Sequence, residues 1–247
     1  ELLKTWKILN KKAKAEVPVA DPDPMRTAAS KELTMRRAKS VGVDTPTIYA
    51  SKDEVDHFPV VVKSSAGSGV VRYVNSKEEL LETGTDGAVI QEYIPGEGYG
   101  FFALFNEGQL RAEFMHRRIR EFPVTGGPST AAVSVHVEAL EDAGMKLLEG
   151  LRWHGVVMAE FKKDVRDGRF KLMEVNPKFW GSLDLAIASG VDFPLLTARM
   201  AHEGDVEPVL DYRVGGRVRW VLPGEVLRAA AAPSRSGTRR CARNSSN

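Results

Sequence analysis

VVMAEFKKDVRDGRFKLMEVN, residues 156–176, decides how the chain is read. Two β-rich runs flank a charged turn ending in Gly168, which predicts an antiparallel hairpin. A turn symmetric about Asp167 sets Glu160 opposite Glu174, with Cβ atoms roughly 4.5–5.5 Å apart on one face. Alternation adds Asn176 to that face, one step beyond Glu174. Like charges directly opposed destabilise a sheet. A cation between them removes the conflict, and two carboxylates with an amide oxygen suit Mg²⁺ that also binds phosphate oxygens. A register one residue different would instead leave surface carboxylates paired with Lys162, Lys171 or Lys178.

Upstream, PVVVKSSAGSGVVRYV (residues 59–74) places Lys63 at the end of a β-rich run, ahead of Gly67, Ser68 and Gly69. Glycines there let backbone amides approach an anion closely. The lysine precedes the glycines and no Gly-Lys-Ser/Thr closes the motif, so this is no P-loop, and a plain hairpin turn is the alternative. A helix opening SKEELLE and a strand AVIQEYI follow. FFALFNEGQLRAEFMH reads as a hairpin turning at Asn106-Glu107-Gly108, and residues 121–135 as a loop. Val137, Leu140, Leu147, Leu148 and Leu151 mark one face of a helix between His136 and Arg152. Short helices near 183–189 and 194–202 and a strand RVRWV complete the pattern. Ser30 caps a helix from Lys31 to about Val41. Before it, the prolines of VPVADPDP (17–24) rule out a helix and read as a linker. The class is α+β with largely antiparallel sheets.

Composition sets the outer limits. The 247 residues are 43% hydrophobic and 28% charged, an ordinary globular balance sufficient for one large domain or two small ones. The net charge of +2 includes five arginines after Glu225, which leaves the rest of the chain at −3. A nucleic-acid partner is therefore not expected. Cys241 is the only cysteine, which excludes a disulfide framework and fits a reducing, cytoplasmic setting. No apolar run reaches membrane-span length. The chain opens on Glu1 rather than methionine and is read as a fragment whose start lies upstream.

HRRIREFPVTGG (116–127) follows the second hairpin strand. Alternation puts Arg118 and Arg120 on one face and Arg117 on the other; guanidinium groups beside the acids suit a substrate carboxylate, whereas the plain alternative is an exposed, charged strand end. His57, His136, His154 and His202 lack ligand spacing and are expected to be structural, and Trp153 and Trp180 to lie in the core.

The ordered set SKELTMRRAKSVGVDTPT, FPVVVKSSAGSG, AVIQEYIPGEGYG, VVMAEFKKD and LMEVNPKFWGS resembles the ATP-grasp superfamily over roughly residues 25–205. The resemblance implies two α+β subdomains gripping ATP between their sheets. Residues 31–95 would be the smaller and 96–224 the larger, with 1–30 a remnant of a preceding domain and 225–247 an unstructured tail. It implies that Lys31 and Lys63 neutralise ATP phosphates and that Gly67, Ser68 and Gly69 close over them. The backbone of Glu92, Tyr93 and Ile94 would read adenine with Gln91 beside it, and Glu97 would take the ribose. Glu160, Glu174 and Asn176 would hold Mg²⁺ or Mn²⁺, and Arg118, Arg120 and Lys178 would serve the reacting carboxylate. Lys178 stands where the family commonly has Arg. The implied activity is an ATP-dependent ligase that forms an acyl phosphate from a small carboxylate and then an amide with an amine. Bicarbonate activation, or nucleotide binding without turnover, is the alternative.

Overall fold

The computed structural model of the chain describes residues 17–64, 71–122, 127, 129–222 and 226–227. Gly67, Ser68 and Gly69, Cys241 and nearly all of the arginine-rich tail lie outside the described residues.

Four short strands form the smaller sheet: β1 (Ile48–Tyr49), β2 (Val60–Ser64), β3 (Val71–Val74) and β4 (Ala88–Glu92), in the order β1-β4-β2-β3 with every pair antiparallel. Alternation in VVVK decides its two faces. Val60 and Val62 turn inward with Val74 and Ile90 into a small core closed by Leu80. Val61 and Lys63 face the other way.

The larger sheet has six strands: β5 (Gly96–Asn106), β6 (Gln109–Glu121), β7 (Ser129–Ser134), β8 (Gly155–Asp164), β9 (Phe170–Asn176) and β10 (Arg217–Arg219). Their order is β10-β7-β6-β5-β8-β9, again antiparallel throughout. The β5–β6 hairpin turns at Glu107 and Gly108, both at positive φ (49° and 86°), the turn whose twist matches two flanking strands. Its unbroken FFALF run is explained by cover on both faces. Phe101, Ala103 and Phe105 pack with Leu140, Leu147 and Leu148 from one helix (Glu138–Glu149). Phe102 and Leu104 pack with Leu185, Phe193 and Met200 from two others (Leu183–Ser189 and Phe193–Glu203). Burial of each of these phenylalanine, leucine and methionine side chains stabilises the fold by roughly 1.5–3 kcal/mol.

Three expectations are corrected here. The proline-rich stretch contains a helix, Pro22–Ala29, directly followed by Lys31–Ser40 under its Ser30 cap. Pro22 and Pro24 sit in the first turn, where no backbone N–H has an intrahelical partner to lose. Both helices pack against β9. Residues 129–134, expected within a loop, form β7; their small side chains carry no strand signature, and pairing with β6 and β10 supplies the structure. HRRIR lies inside β6, which runs on to Glu121.

Gly144 approaches the sheet so closely that a Cβ there would stand 2.4 Å from Cδ1 of the fully buried Phe101. Gly144→Ala should therefore lower unfolding free energy by about 1–3 kcal/mol in denaturant titration, although alanine is the better helix former.

Candidate functional site

Glu160 on β8 is the register partner of Glu174 on β9, and Met158 that of Asn176. The route to that register differs from a symmetric turn. From Phe161 to the turn the pairing is offset by one residue, and a bulge at Met173 restores it at the acids. Asn176 Nδ2 donates to Oε1 of Glu174 (2.8 Å) and reaches Oε1 of Glu160 at 3.5 Å. Arg118, on β6, donates from Nη2 to Oε2 of Glu160 at 2.6 Å and stands 3.5 Å from Glu121. Burial raises the Glu160 carboxyl's pKa, Glu174 raises it further, and Arg118 pulls it down. Arg118 thus serves Glu160 and Glu121 together, while Glu174 is held by Asn176.

Lys63 faces this group from the smaller sheet. Burial lowers its ammonium pKa to about 8, with Lys31 lowering it further and Glu174 and Glu160 opposing. Lys31, the first residue of its helix, lines the same cleft. The cleft between the sheets holds about 230 Å³ and is walled by Val61, Lys63 and Tyr73 on one side and by Gly98, Glu160 and Glu174 on the other.

The chain crosses between the sheets at residues 93–95. Tyr93 and Ile94 line the cleft there, and the Glu92 carboxylate is occupied elsewhere. It accepts from Thr47 N–H (3.0 Å) and from Arg166 Nη2 (2.5 Å), which itself grips Asp164. Burial disfavours that charge, but these donors outweigh it and lower the pKa. What Glu92 can offer the cleft is its peptide backbone. Gln91 is fully buried on the cleft side of β4, opposite Val61, and neither of its amide atoms has a partner.

Two expected site residues fall elsewhere. Glu97 shares the sheet face of Tyr99, whose hydroxyl donates to it at 3.4 Å, and pairs with Arg117. Glu160 pairs with Gly100 and so occupies the other face, and Glu97 does not line the cleft in this structure. Arg120 is separated from Arg118 by a bulge at Ile119: Arg118 pairs with Ala132 and Arg120 with the adjacent Ala131, so they face opposite ways. Lys162 was not expected in the site. It donates to Ile94 C=O (3.1 Å) and lies 5.2 Å from the Tyr93 ring. Alternation from Glu160 places it there.

A second cavity of about 700 Å³ adjoins the first and shares Lys31, Arg118, Glu160 and Glu174 with it. Asn176, the exposed Lys178 and Trp180 line its far side. Trp180 is buried, as expected of a core residue, yet its indole N–H faces no acceptor. His116 is buried with Nδ1 3.1 Å from Ser182 Oγ, and burial, aided by Arg118, lowers its pKa to about 3. It is therefore neutral at physiological pH.

Two antiparallel sheets close on a cleft, with paired acids on one and a lysine on the other, in an α+β fold. The chain matches, over residues 85–222, the family described as "ATP-grasp in the biosynthetic pathway with Ter operon", more than half its length, and it belongs to the ATP-grasp family. No curated protein matches it by sequence. Among solved structures it is similar to the biotin carboxylase domain of 2-oxoglutarate carboxylase from Hydrogenobacter thermophilus, determined with MgADP, ADP and bicarbonate. That match has a TM-score of 0.73 at 16% identity and covers 87% of this chain and 54% of that one. It is also similar to an L-amino acid ligase from Bacillus licheniformis (TM-score 0.65, 20% identity, 84% and 56% covered). Phosphoribosylamine–glycine ligase from Thermotoga maritima gives a TM-score of 0.62 at 18% identity, with 81% and 60% covered. The chain thus spans little more than half the length of these proteins, and the likeness concerns their fold. Among the described residues no helix is long and apolar enough to cross a membrane.

Removing Arg118 while keeping Glu160 leaves a buried charge with its counter-ion gone. Arg118→Met should cost about 3–5 kcal/mol in chemical denaturation, and adding Glu160→Gln should recover most of that loss. Additive losses in the double variant would show that the two side chains act independently.

Proposed function

We propose that this chain is the nucleotide-binding and phosphoryl-transfer part of an ATP-dependent ligase that activates a small carboxylate as its acyl phosphate and passes it to an amine. The observation that supports this reading is the shared wall. Glu160 and Glu174 line both the cleft and the larger cavity, so a terminal phosphate among them is within reach of a second molecule.

Val61 and the backbone of residues 92–94 would enclose the adenine, and Lys63 and Lys31 would meet the phosphates with mobile positive charge. Glu160, Glu174 and Asn176 fit Mg²⁺ or Mn²⁺: they supply hard oxygen donors in excess of their cationic partners, and the Asn176 amide presents its oxygen after a flip. The bound ion would offset charge on the phosphate oxygens. In the adjoining cavity Arg118 and Lys178 supply cationic groups suited to orienting a carboxylate for in-line attack. Lys178 would do so as a point charge, without the paired N–H fork of an arginine. The reaction then asks of the protein mainly positioning and charge.

Mg·ATP at a hundredfold excess over Kd should raise the melting temperature on the order of 5–10 °C, and Glu174→Ala should abolish most of that shift. With a panel of amino acids, ADP release should accompany an intermediate that hydroxylamine traps. ADP release that depends only on bicarbonate would reassign the reaction to carboxylation, and a thermal shift without any turnover would reduce the chain to a binder.

Nucleotide affinity should also fall as pH rises above about 8. Lys63 titrates there in the free protein, and phosphate binds its protonated form, so each unit above that point weakens binding by up to about tenfold. Lys63→Arg, which keeps its charge, should flatten this profile in isothermal titration calorimetry.

A further inference from the structure

On the opposite face of the larger sheet, away from the acid pair, three ligand-type side chains converge. Glu113 lies on β6, two residues before Met115 and therefore on the face that packs against the Glu138–Glu149 helix. His136 sits in the connector leading into that helix, and Glu141 lies in its first turn. One ligand atom from each falls within 4.8 Å of the other two.

A second observation makes this more than a chance grouping. Glu113 is only 4% exposed, and its Oε2 is buried without any hydrogen-bond partner. A carboxylate oxygen removed from water and left unpaired is costly and calls for a proton or a cation. Burial raises its pKa to about 7, with Glu141 and Asp211 adding to the effect. Among the described residues no lysine or arginine is paired with Glu113 or Glu141, and His136 Nε2 lies 3.6 Å from Glu141 Oε2.

We propose that Glu113, His136 and Glu141 form a binding site for a divalent transition-metal ion, zinc by preference, separate from the cleft. One imidazole with two carboxylates is a donor set that suits zinc better than magnesium, and three protein ligands leave a position for water. Bonds of about 2.0–2.2 Å place tetrahedral ligands roughly 3.3–3.6 Å apart, so the atoms must close by about 1 Å. Rotation of the exposed His136 and the half-buried Glu141 achieves this without disturbing β6. The ion would fasten the start of the helix to the sheet. Residues 113, 136 and 141 follow no metal-ligand spacing, which is why His136 reads as structural in the sequence.

The test uses the whole chain, stripped of metal and titrated with Co²⁺ as a coloured stand-in for zinc, in the parent and in Glu174→Ala, where the cleft acids are disabled. Both should bind one ion that gives a visible tetrahedral spectrum bleached by Zn²⁺, whatever further ion the cleft of the parent takes up. His136→Ala and Glu141→Gln, changes outside the core, should each weaken binding on the order of 10–100-fold. Absence of binding, binding untouched by both changes, or binding lost in Glu174→Ala alone would overturn the proposal.

Discussion

Two carboxylates held face to face across the β8–β9 hairpin are the constraint around which this molecule is organised. Left alone, Glu160 and Glu174 would repel each other and favour a slipped register. The fold counters this locally with Asn176, bridging from the same strand, and with Arg118, carried in from β6. Arg118 reaches Glu160 across β5, between β6 and β8, by passing over Gly98, where a Cβ would stand 2.9 Å from its Cδ. The ion pair of Glu160 with Arg118 therefore calls for a residue without a side chain on the strand between them.

The same pair sets the electrostatics of the cleft. Lys63 is buried enough to lose part of its affinity for a proton, and it keeps its charge partly through the field of the two acids. Among the described residues Lys63 forms no ion pair with either acid. The result is a gap between sheets lined by charges of both signs.

Much of this was legible in the sequence because period-two alternation is robust over short stretches. Glu160, Glu174 and Asn176 fell together, Lys63 at the end of VVVK faced the cleft, and the order of strands and helices followed from hydrophobic pattern and turn chemistry. The failures share a cause. Bulges at Ile119 and Met173 shift the alternation by one, which removed Arg120 from the site, while at Met173 the shift happened to restore the expected pair. Glu97 went astray because a glycine-rich stretch carries no face signal of its own. The Pro22–Ala29 helix and β7 depend on partners distant in sequence, to which local propensity is blind. The larger cavity was invisible for the same reason, being assembled from segments as far apart as Lys31, Arg118 and Lys178.

The two places where the chain passes between sheets lie side by side. Residues 43–47 and 93–95 run together, joined by Glu92 N–H to Thr47 C=O at 2.9 Å and by Thr47 N–H back to the Glu92 carboxylate. Each is also moored to the larger sheet, through Asp44 to Leu172 N–H and through Pro95 to Val165 N–H. The smaller lobe is thereby bound along one margin, like a page along its spine. Relative movement of the lobes reduces to swinging about that margin, and displacement grows with lever arm: small beside Tyr93, largest toward the far ends of β2 and β3.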